Sequence, residues 1–255
     1  MRMSSLATAA KIGSMILLAQ GLTAEAAEVK LIGATPMTAV IKELGSQFER
    51  DTGHKLVTKF VSGPVVKQEI DAGETFDVAV SITPVIDELI KEGKIVAGTR
   101  ADVAYAGVGV GVRAGAPKPD ISSVEAFKRA LLNAKSVAHS AEGASGTYFK
   151  GLLERLGIAE EMKPKLRPMP SDRIAQAVPS GEAEMIVVTM SVIVGYGAQL
   201  VGPVPSELQF YNRFAAGVSA SAKEAEAAKA LIKFLTSPAA VAVIKAKGME
   251  PGTPR

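Results

Sequence analysis

The sequence predicts an α/β fold, because short apolar strands alternate with amphipathic helices along most of its 255 residues. A second observation is that hydroxyl residues recur where a predicted strand passes into a predicted helix. A third is the composition, 47% hydrophobic and 22% charged, which suffices for one sizeable or two modest packed domains. We therefore expect parallel sheets covered by helices on both faces.

The first 26 residues are typical of a secretory signal peptide. Arg2 and Lys11 flank an early polar segment, residues 12–22 are mostly apolar, and residues 24–26 fit a small-x-small cleavage site. The alternative, an uncleaved anchor, is disfavoured because Gly13 and Gln20 interrupt a run that is already short for a membrane span. We expect an exported, periplasmic protein with no membrane span after cleavage.

Charge and composition exclude several classes of function. The full chain carries a formal charge of +3, and a cleaved leader would take two bases and one acid with it. This near-balance, without a basic stripe and interleaved aromatics, argues against nucleic-acid binding. The chain has no cysteine, so disulfides and thiolate chemistry are excluded, and two histidines cannot form a histidine-rich metal site. We expect a monomer without metal or cofactor.

Apolar runs and turn residues define the predicted elements. Strands are predicted at 29–32, 55–61, 77–81, 104–112, 136–139, 165–169, 184–188, 200–204 and 210–219. Helices are predicted to begin near Pro36, Pro64, Pro84, Val124, Ser145, Ser171, Ala222 and Pro238.

Glycine and valine alternate between Gly107 and Val112, which predicts a strand with one smooth face. Gly109, Gly111 and Ala114 nominally match a dinucleotide-binding fingerprint. We reject that match, because residues 115–119 contain two prolines where a helix should open.

Five hydroxyl residues each follow a short apolar strand and precede a predicted helix: Thr35, Ser62, Ser145, Ser171 and Thr189. In open α/β sheets, ligands bind beyond the carboxyl ends of the strands. These five strand–helix joints can therefore face one crevice and offer hydroxyl and N–H donors to an anion. The alternative is that every hydroxyl merely caps its own helix.

The joint with the most marked sequence spans residues 142–157. Gly143 and Gly146 allow the backbone N–H groups to approach a ligand, and Ser145 or Thr147 can cap the helix that follows. Gly157 is a helix stop. Because N–H groups at a helix start are unpaired and lie at the positive end of its dipole, the joint is a candidate anion seat.

Other side chains have both a functional and a structural interpretation. Arg173 can pair with a carboxylate through two parallel hydrogen bonds, or lie solvated on a helix face. His139 can contact a ligand or carry a proton, or be a structural histidine at a strand end. Met37 and Tyr148 can form apolar walls of the crevice, or pack in the core.

Several segments resemble the periplasmic molybdate-binding-type receptors of ABC importers. They are residues 33–37 (GATPM), 60–63 (FVSG), 143–148 (GASGTY), 178–184 (VPSGEAE) and 225–238 (AEAAKALIKFLTSP). The resemblance covers the whole mature chain and implies a type II periplasmic-binding fold, with two α/β lobes joined by two crossover strands. Lobe 1 would comprise residues 27–108 and 213–255, and lobe 2 residues 109–212, with the ligand held between them.

The resemblance implies a small anionic ligand and an importer permease as partners. The sequence differs from molybdate receptors at three joints: Thr35 and Pro36 replace a serine after three alanines, Val61 and Ser62 replace a double serine, and Thr189 replaces a tyrosine. We therefore expect an organic carboxylate, bound by Thr35, Met37, Ser62, Ser145, Gly146, Thr147, Ser171, Arg173 and Thr189. Two alternatives stay open: an isomerase resembling periplasmic aconitate isomerase, with His139 as its base, and a molybdate or tungstate receptor.

Overall fold

The computed structural model describes residues 26–170, 173–194 and 196–252, so the predicted signal peptide and Ser171 lie outside the described residues. Ten strands are present in this part of the chain. They are β1 (Glu28–Ala34), β2 (Lys55–Val61), β3 (Val78–Ile82), β4 (Ala101–Val112), β5 (Val137–Ser140), β6 (Leu166–Met169), β7 (Met185–Thr189), β8 (Gln199–Pro203), β9 (Tyr211–Val218) and β10 (Glu250–Pro251).

Nine α-helices lie between these strands. They are α1 (Thr38–Thr52), α2 (Gly63–Asp71), α3 (Thr83–Lys91), α4 (Val124–Asn133), α5 (Ala144–Arg155), α6 (Ala159–Met162), α7 (Met190–Val194), α8 (Ala225–Leu235) and α9 (Ala240–Ala246). Within the described ranges no single helix is long and apolar enough to span a membrane. The pair α8 and α9 reaches that length and composition only together, across a 64° bend.

The strands follow the order β2-β1-β3-β9-β4-β7-β5-β6, with β8 and β10 also paired to β4. β1 is parallel to β2 and β3, and β5 is parallel to β6 and β7. β4 and β9 run antiparallel to each other and to the strands beside them. The expectation of parallel sheets is therefore wrong for β4 and β9, because they are crossovers between the lobes rather than members of βαβ units. It is also wrong for β8 and β10, which pair antiparallel with β4.

The long strand β4 belongs to both halves of the molecule. Its first part, Ala101–Gly107, pairs with β9, and its second part, Val108–Val112, pairs with β7. Glycines allow close packing in the second part: a Cβ at Gly109 would lie 2.6 Å from Met190 Cγ and 2.9 Å from the Gly202 carbonyl oxygen. The smooth face predicted for this strand therefore accommodates α7 and β8.

The buried apolar residues form clusters on either side of the crossover strands. Two clusters draw on residues 29–106 and 214–249, and two others on residues 108–208. This arrangement is the two-lobed α/β architecture expected from the sequence. The exact boundaries at 108/109 and 212/213 stay a prediction.

The helices of lobe 1 form where the sequence provides apolar stripes and stop signals. In α1, Val40, Ile41, Leu44 and Phe48 are buried on one face. The helix ends at Gly53, whose φ of 77° is left-handed and favours glycine.

One predicted helix is wrong: where Ser171 was expected to start a helix through Val178, the described residues contain a short 3-10 turn at Ile174–Gln176.

Buried Asp77 joins three elements of lobe 1. Its Oδ2 accepts the N–H of Lys30 in β1 at 2.9 Å, and its Oδ1 accepts the N–H groups of Lys223 and Glu224 at 2.8 and 3.2 Å. Glu224 is the residue that precedes α8. The carboxylate therefore caps α8 and fixes it against the central strands.

We predict that Asp77→Ala lowers the free energy of unfolding by about 2–4 kcal/mol, since it removes the acceptor of three backbone N–H groups. Denaturant unfolding measures the loss. The matched control is Asp51→Ala, at an exposed position near the end of α1, which should change stability by no more than about 0.5 kcal/mol. Equal effects of the two substitutions would contradict the role assigned to Asp77.

Candidate functional site

A pocket lies between the two lobes, at the carboxyl ends of their parallel strands. We call it the interlobe pocket. Lobe 1 contributes the ends of β1, β2 and β3, and lobe 2 contributes the ends of β5 and β7 with the start of α5. Its walls comprise Ala34, Thr35, Pro36, Ser62, Gly63, Ile82, Ser140, Gly143, Ala144, Ser145, Ile174, Val188, Thr189, Val192, Asn212 and Phe214.

Four of the residues predicted from the sequence meet in the interlobe pocket: Thr35, Ser62, Ser145 and Thr189. Thr35 and Ser62 lie immediately after a strand, Thr189 is the last residue of one, and Ser145 lies in the first turn of α5, as the strand–helix pattern predicted. The pocket also has polar residues that were not predicted to line it, Ser140 and Asn212. Ser171, the fifth predicted hydroxyl, lies outside the described residues.

Three of the described hydroxyls do not hold a capping position or do not use it. Ser62 precedes α2 but makes no side-chain capping bond, and Ser145 lies inside α5, where Gly143 holds the capping position. Thr35 was expected to cap a helix, but Ala34 holds that position and Thr35 Oγ1 donates to the Val61 carbonyl at 3.0 Å. Structural capping therefore does not explain the hydroxyls of Thr35, Ser62 and Ser145.

Ser62 provides the clearest energetic evidence for a ligand. Its hydroxyl is buried and has no hydrogen-bond partner among the described residues. The residue is only 3% exposed. A buried hydroxyl without a partner costs about 1–3 kcal/mol, so a folded protein usually satisfies it. In the interlobe pocket, a bound ligand would satisfy it.

Backbone donors reinforce these hydroxyls. The helices α2 and α5 both begin at the interlobe pocket, and the first N–H groups of a helix have no partner within it. The two helix dipoles also place positive potential there. On the α5 side, Ser140 Oγ accepts the Gly143 N–H at 2.9 Å, which leaves the Ser140 hydroxyl hydrogen available.

No charged or titratable side chain lines the interlobe pocket among the residues that the structure describes. Any anion held there would be stabilised by neutral hydroxyls, backbone N–H groups and helix dipoles rather than by an ion pair. Arg173, the predicted carboxylate partner, is not in the pocket. Its side chain is 59% exposed and its Nη2 lies 2.8 Å from Glu182 Oε2.

Three further predicted residues lie away from the interlobe pocket. Met37 is fully buried in the core of lobe 1. Gly146 packs against the end of β5, where a Cβ would lie 1.8 Å from the Ser140 carbonyl oxygen. Thr147 is exposed and lies, with Tyr148, along a separate surface groove. Gly146 is therefore needed for close packing of α5, and its predicted contact with a ligand stays a prediction.

His139 is also outside the interlobe pocket. The ring is 1% exposed, packs 5.8 Å from the ring of Phe149, and its Nδ1 donates to the Ser140 carbonyl at 2.9 Å. Burial lowers the pKa of His139 below its ordinary value of 6.5, an effect that the positive charge of Lys150 reinforces and the Ser140 carbonyl opposes. The residue is a neutral, structural histidine of lobe 2 near neutral pH.

Asn212 was missed because it lies within a strand rather than at a strand–helix joint. Its burial alternates with that of its neighbours: Asn212 and Phe214 are buried, whereas Tyr211 and Arg213 are exposed. A polar residue on the apolar face of an alternating strand is a signal that the sequence does contain. Its Nδ2 donates to Thr189 Oγ1 at 2.8 Å.

The lobes are also joined beside the interlobe pocket. Ser191 in α7 donates its hydroxyl to the carbonyl of Pro36 at 2.9 Å, across 155 residues of sequence. Ser191 is buried. We call this hydrogen bond the interlobe bond.

Comparison with known proteins agrees with this geometry. The model of the bacterial extracellular solute-binding protein family matches residues 29–250. The chain belongs to that family. The resemblance to molybdate-binding-type receptors is therefore confirmed.

Two relatives of this solute-binding protein are named for different functions, one for binding and one for catalysis. The molybdate-binding protein ModA of Azotobacter vinelandii is 34% identical over 234 residues, covering 88% of this chain and 90% of that protein. An aconitate isomerase from a Pseudomonas species is 29% identical over 245 residues, covering 88% of this chain and 92% of that protein.

Solved structures share the fold. The periplasmic molybdate-binding protein of Azotobacter vinelandii aligns with a TM-score of 0.75 at 22% identity, over 89% of this chain and all of that one. The sulfate-binding protein SubI of Mycobacterium tuberculosis aligns with a TM-score of 0.67 at 19% identity, over 89% and 88% of the two chains.

We predict that Gly146→Ala destabilises this solute-binding protein by about 1–3 kcal/mol, because the new methyl group overlaps the Ser140 carbonyl. Thermal and denaturant unfolding measure the change. Gly151→Ala is the control in the same helix: nothing lies within 4 Å of its added Cβ, so the helix should gain about 0.5–1 kcal/mol. Two stabilised variants would show that α5 does not pack as described.

A second prediction concerns acid stability. Since the folded protein holds His139 with a lowered pKa, the unfolded chain binds a proton first as the pH falls. The contribution of neutral His139 to the free energy of unfolding is therefore fully present above pH 6.5. It should decline as the pH falls below that value. His139→Leu removes this contribution, so unfolding measured over a pH series should show a shallower acid decline for the variant. Parallel curves for the two proteins would contradict a buried, neutral histidine.

Proposed function

We propose that this protein captures a small anion in the interlobe pocket and delivers it to an ABC importer from the periplasm. The observation that carries the proposal is the convergence of available donors on one pocket. Ser62, Ser140, Ser145 and Thr189 bring hydroxyls, and α2 and α5 bring free N–H groups with their positive dipole ends. Such a site binds negative charge without a metal or an ion pair.

The size of the interlobe pocket limits the ligand. The space open to the centres of water molecules is about 30 Å³, enough for roughly two or three waters. A tetrahedral oxyanion or a compact carboxylate is of this scale, whereas a tricarboxylate is much larger. The organic carboxylate expected from the sequence therefore fits only if it is small, and the relative named a molybdate-binding protein supports an inorganic oxyanion equally.

The family and the predicted leader support export and an importer partner. Solute-binding proteins of this family act outside the cytoplasm, and residues 1–26 are typical of a cleaved signal peptide. In this proposal the two lobes close over the ligand by a hinge at the crossover strands, as in periplasmic binding proteins generally. A membrane permease would then receive the ligand.

The second candidate function is an isomerase, favoured by the 29% identical relative named aconitate isomerase. Proton transfer would need a general acid or base within hydrogen-bond reach of the substrate. The described walls of the interlobe pocket offer only hydroxyls and one amide, and His139 donates its Nδ1 hydrogen to a backbone carbonyl outside it. These observations favour binding without turnover.

We predict that the mature protein is stabilised by at least one compact anion in a thermal-shift screen of molybdate, tungstate, sulfate, phosphate and small and large carboxylates. At a hundred times the dissociation constant, a ligand should add about 2.7 kcal/mol. Ser62→Ala should weaken binding about tenfold or more, because it removes a hydrogen bond to charge. The free variant should be no less stable than the wild type, since the buried hydroxyl lacks a partner.

Ser46→Ala is the matched control, an exposed serine in α1 that should leave every ligand shift unchanged. A panel without any shift, or a Ser62→Ala variant with undiminished binding, would contradict the proposal.

Ultraviolet absorbance of aconitate incubated with the protein tests the second candidate function, an isomerase. A change in absorbance that depends on the protein would establish turnover.

A further inference from the structure

Among the described residues that line the interlobe pocket, Asn212 is the one with an amide side chain, and it is 4% exposed. It lies near the start of β9, at the predicted boundary between the lobes. It pairs with Ala106 of β4 and shares the buried face of its strand with Phe214, which also lines the pocket. The strand therefore holds this amide in the wall of the pocket.

The contact with Thr189 determines what each group can offer a ligand. Because Asn212 Nδ2 donates to Thr189 Oγ1 at 2.8 Å, the threonine oxygen already accepts a hydrogen bond and its own hydrogen is available to the pocket. Asn212 Oδ1 makes no hydrogen bond to any described residue. Because Asn212 lines the interlobe pocket, this carbonyl oxygen is an acceptor that a ligand can reach.

Asn212 Oδ1 is an acceptor in a pocket whose other polar groups are mostly hydrogen-bond donors. The hydroxyls and helix starts suit any oxyanion, but a carbonyl oxygen facing a fully deprotonated oxygen places two lone pairs against each other. A ligand oxygen that carries hydrogen instead donates to Oδ1 and satisfies both partners. Sites built to accept a ligand O–H discriminate strongly against analogues without it, since the buried acceptor is then left unpaired.

We propose that Asn212 is a specificity-determining residue, which selects compact anions that retain an O–H group through its Oδ1. This inference rests on the proposed anion-binding function and specifies the chemical class of the ligand. Two sources supply that chemistry: a hydrogen oxyanion such as hydrogen phosphate, and a small carboxylate with an adjacent hydroxyl. Molybdate and sulfate lack the hydrogen at neutral pH.

Matched ligand pairs test the proposal on the unaltered protein. Isothermal titration at neutral pH compares phosphate with sulfate, which are similar in size but differ in the O–H, and lactate with propionate, which differ by one hydroxyl. We expect the member with the O–H to bind about tenfold or more tightly in at least one pair. The pair that shows the preference identifies the source, inorganic or organic.

Asn212→Leu removes the amide at nearly constant volume, and the preference should then fall to within about twofold. Asn133→Leu applies the same change at an exposed position on α4 and should keep the wild-type preference. If Asn212→Leu does not fold, the wild-type comparison still decides.

Different outcomes would refute the role of Asn212 and the proposed anion-binding function. Sulfate binding as tightly as phosphate, together with propionate binding as tightly as lactate, overturns the role of Asn212 while leaving the receptor function intact. That result would mean that the amide presents N–H rather than carbonyl to the ligand. Absence of binding by every anion tested, including molybdate, would instead refute the proposed function itself.

Discussion

The pairing of β4 with strands of both lobes is the constraint on which the rest of the structure depends. One twelve-residue strand joins β9 along its first part and β7 along its second. The two sets of parallel strands are thereby held with their carboxyl ends toward a shared space. Helix starts follow those strand ends, so donors from α2 and α5 meet without any long-range ion pair. The site is a consequence of the strand arrangement.

Much of this architecture could be predicted from local sequence. The strands β2 and β3 were placed within a residue or two of their observed bounds, because short apolar runs between turn residues are a strong signal. The direction of β4 and β9 could not be predicted, since antiparallel pairing depends on which distant strands lie alongside them. The missing helix after Ser171 has a local reason: residues 179–181, proline, serine and glycine, follow immediately and do not continue a helix.

The candidate site was predictable only in part. Ser62, Ser145 and Thr189 line the interlobe pocket because each lies at a junction between a strand and a helix, and that relation is visible in sequence. Asn212 could have been noticed as a polar residue on an apolar face, but its contact with Thr189 joins two strands that are separate in sequence. Arg173 is a predicted site residue that the structure places outside the pocket. Its predicted position at a helix start suggested that it binds a carboxylate of the ligand. In the structure its guanidinium forms an ion pair with Glu182, and the described walls of the pocket are neutral.

The interlobe bond between Ser191 and Pro36 has a consequence for how affinity is set. The bond connects the lobes through a hydroxyl and a backbone carbonyl, and its strength does not depend on which anion lies beside it. In a receptor that hinges open, such a contact shifts the balance between open and closed forms. The apparent affinity of every ligand scales with the fraction of protein that is competent to hold it. Evolution can therefore adjust how tightly all ligands bind at Ser191, while the groups that line the pocket set the order of preference among them.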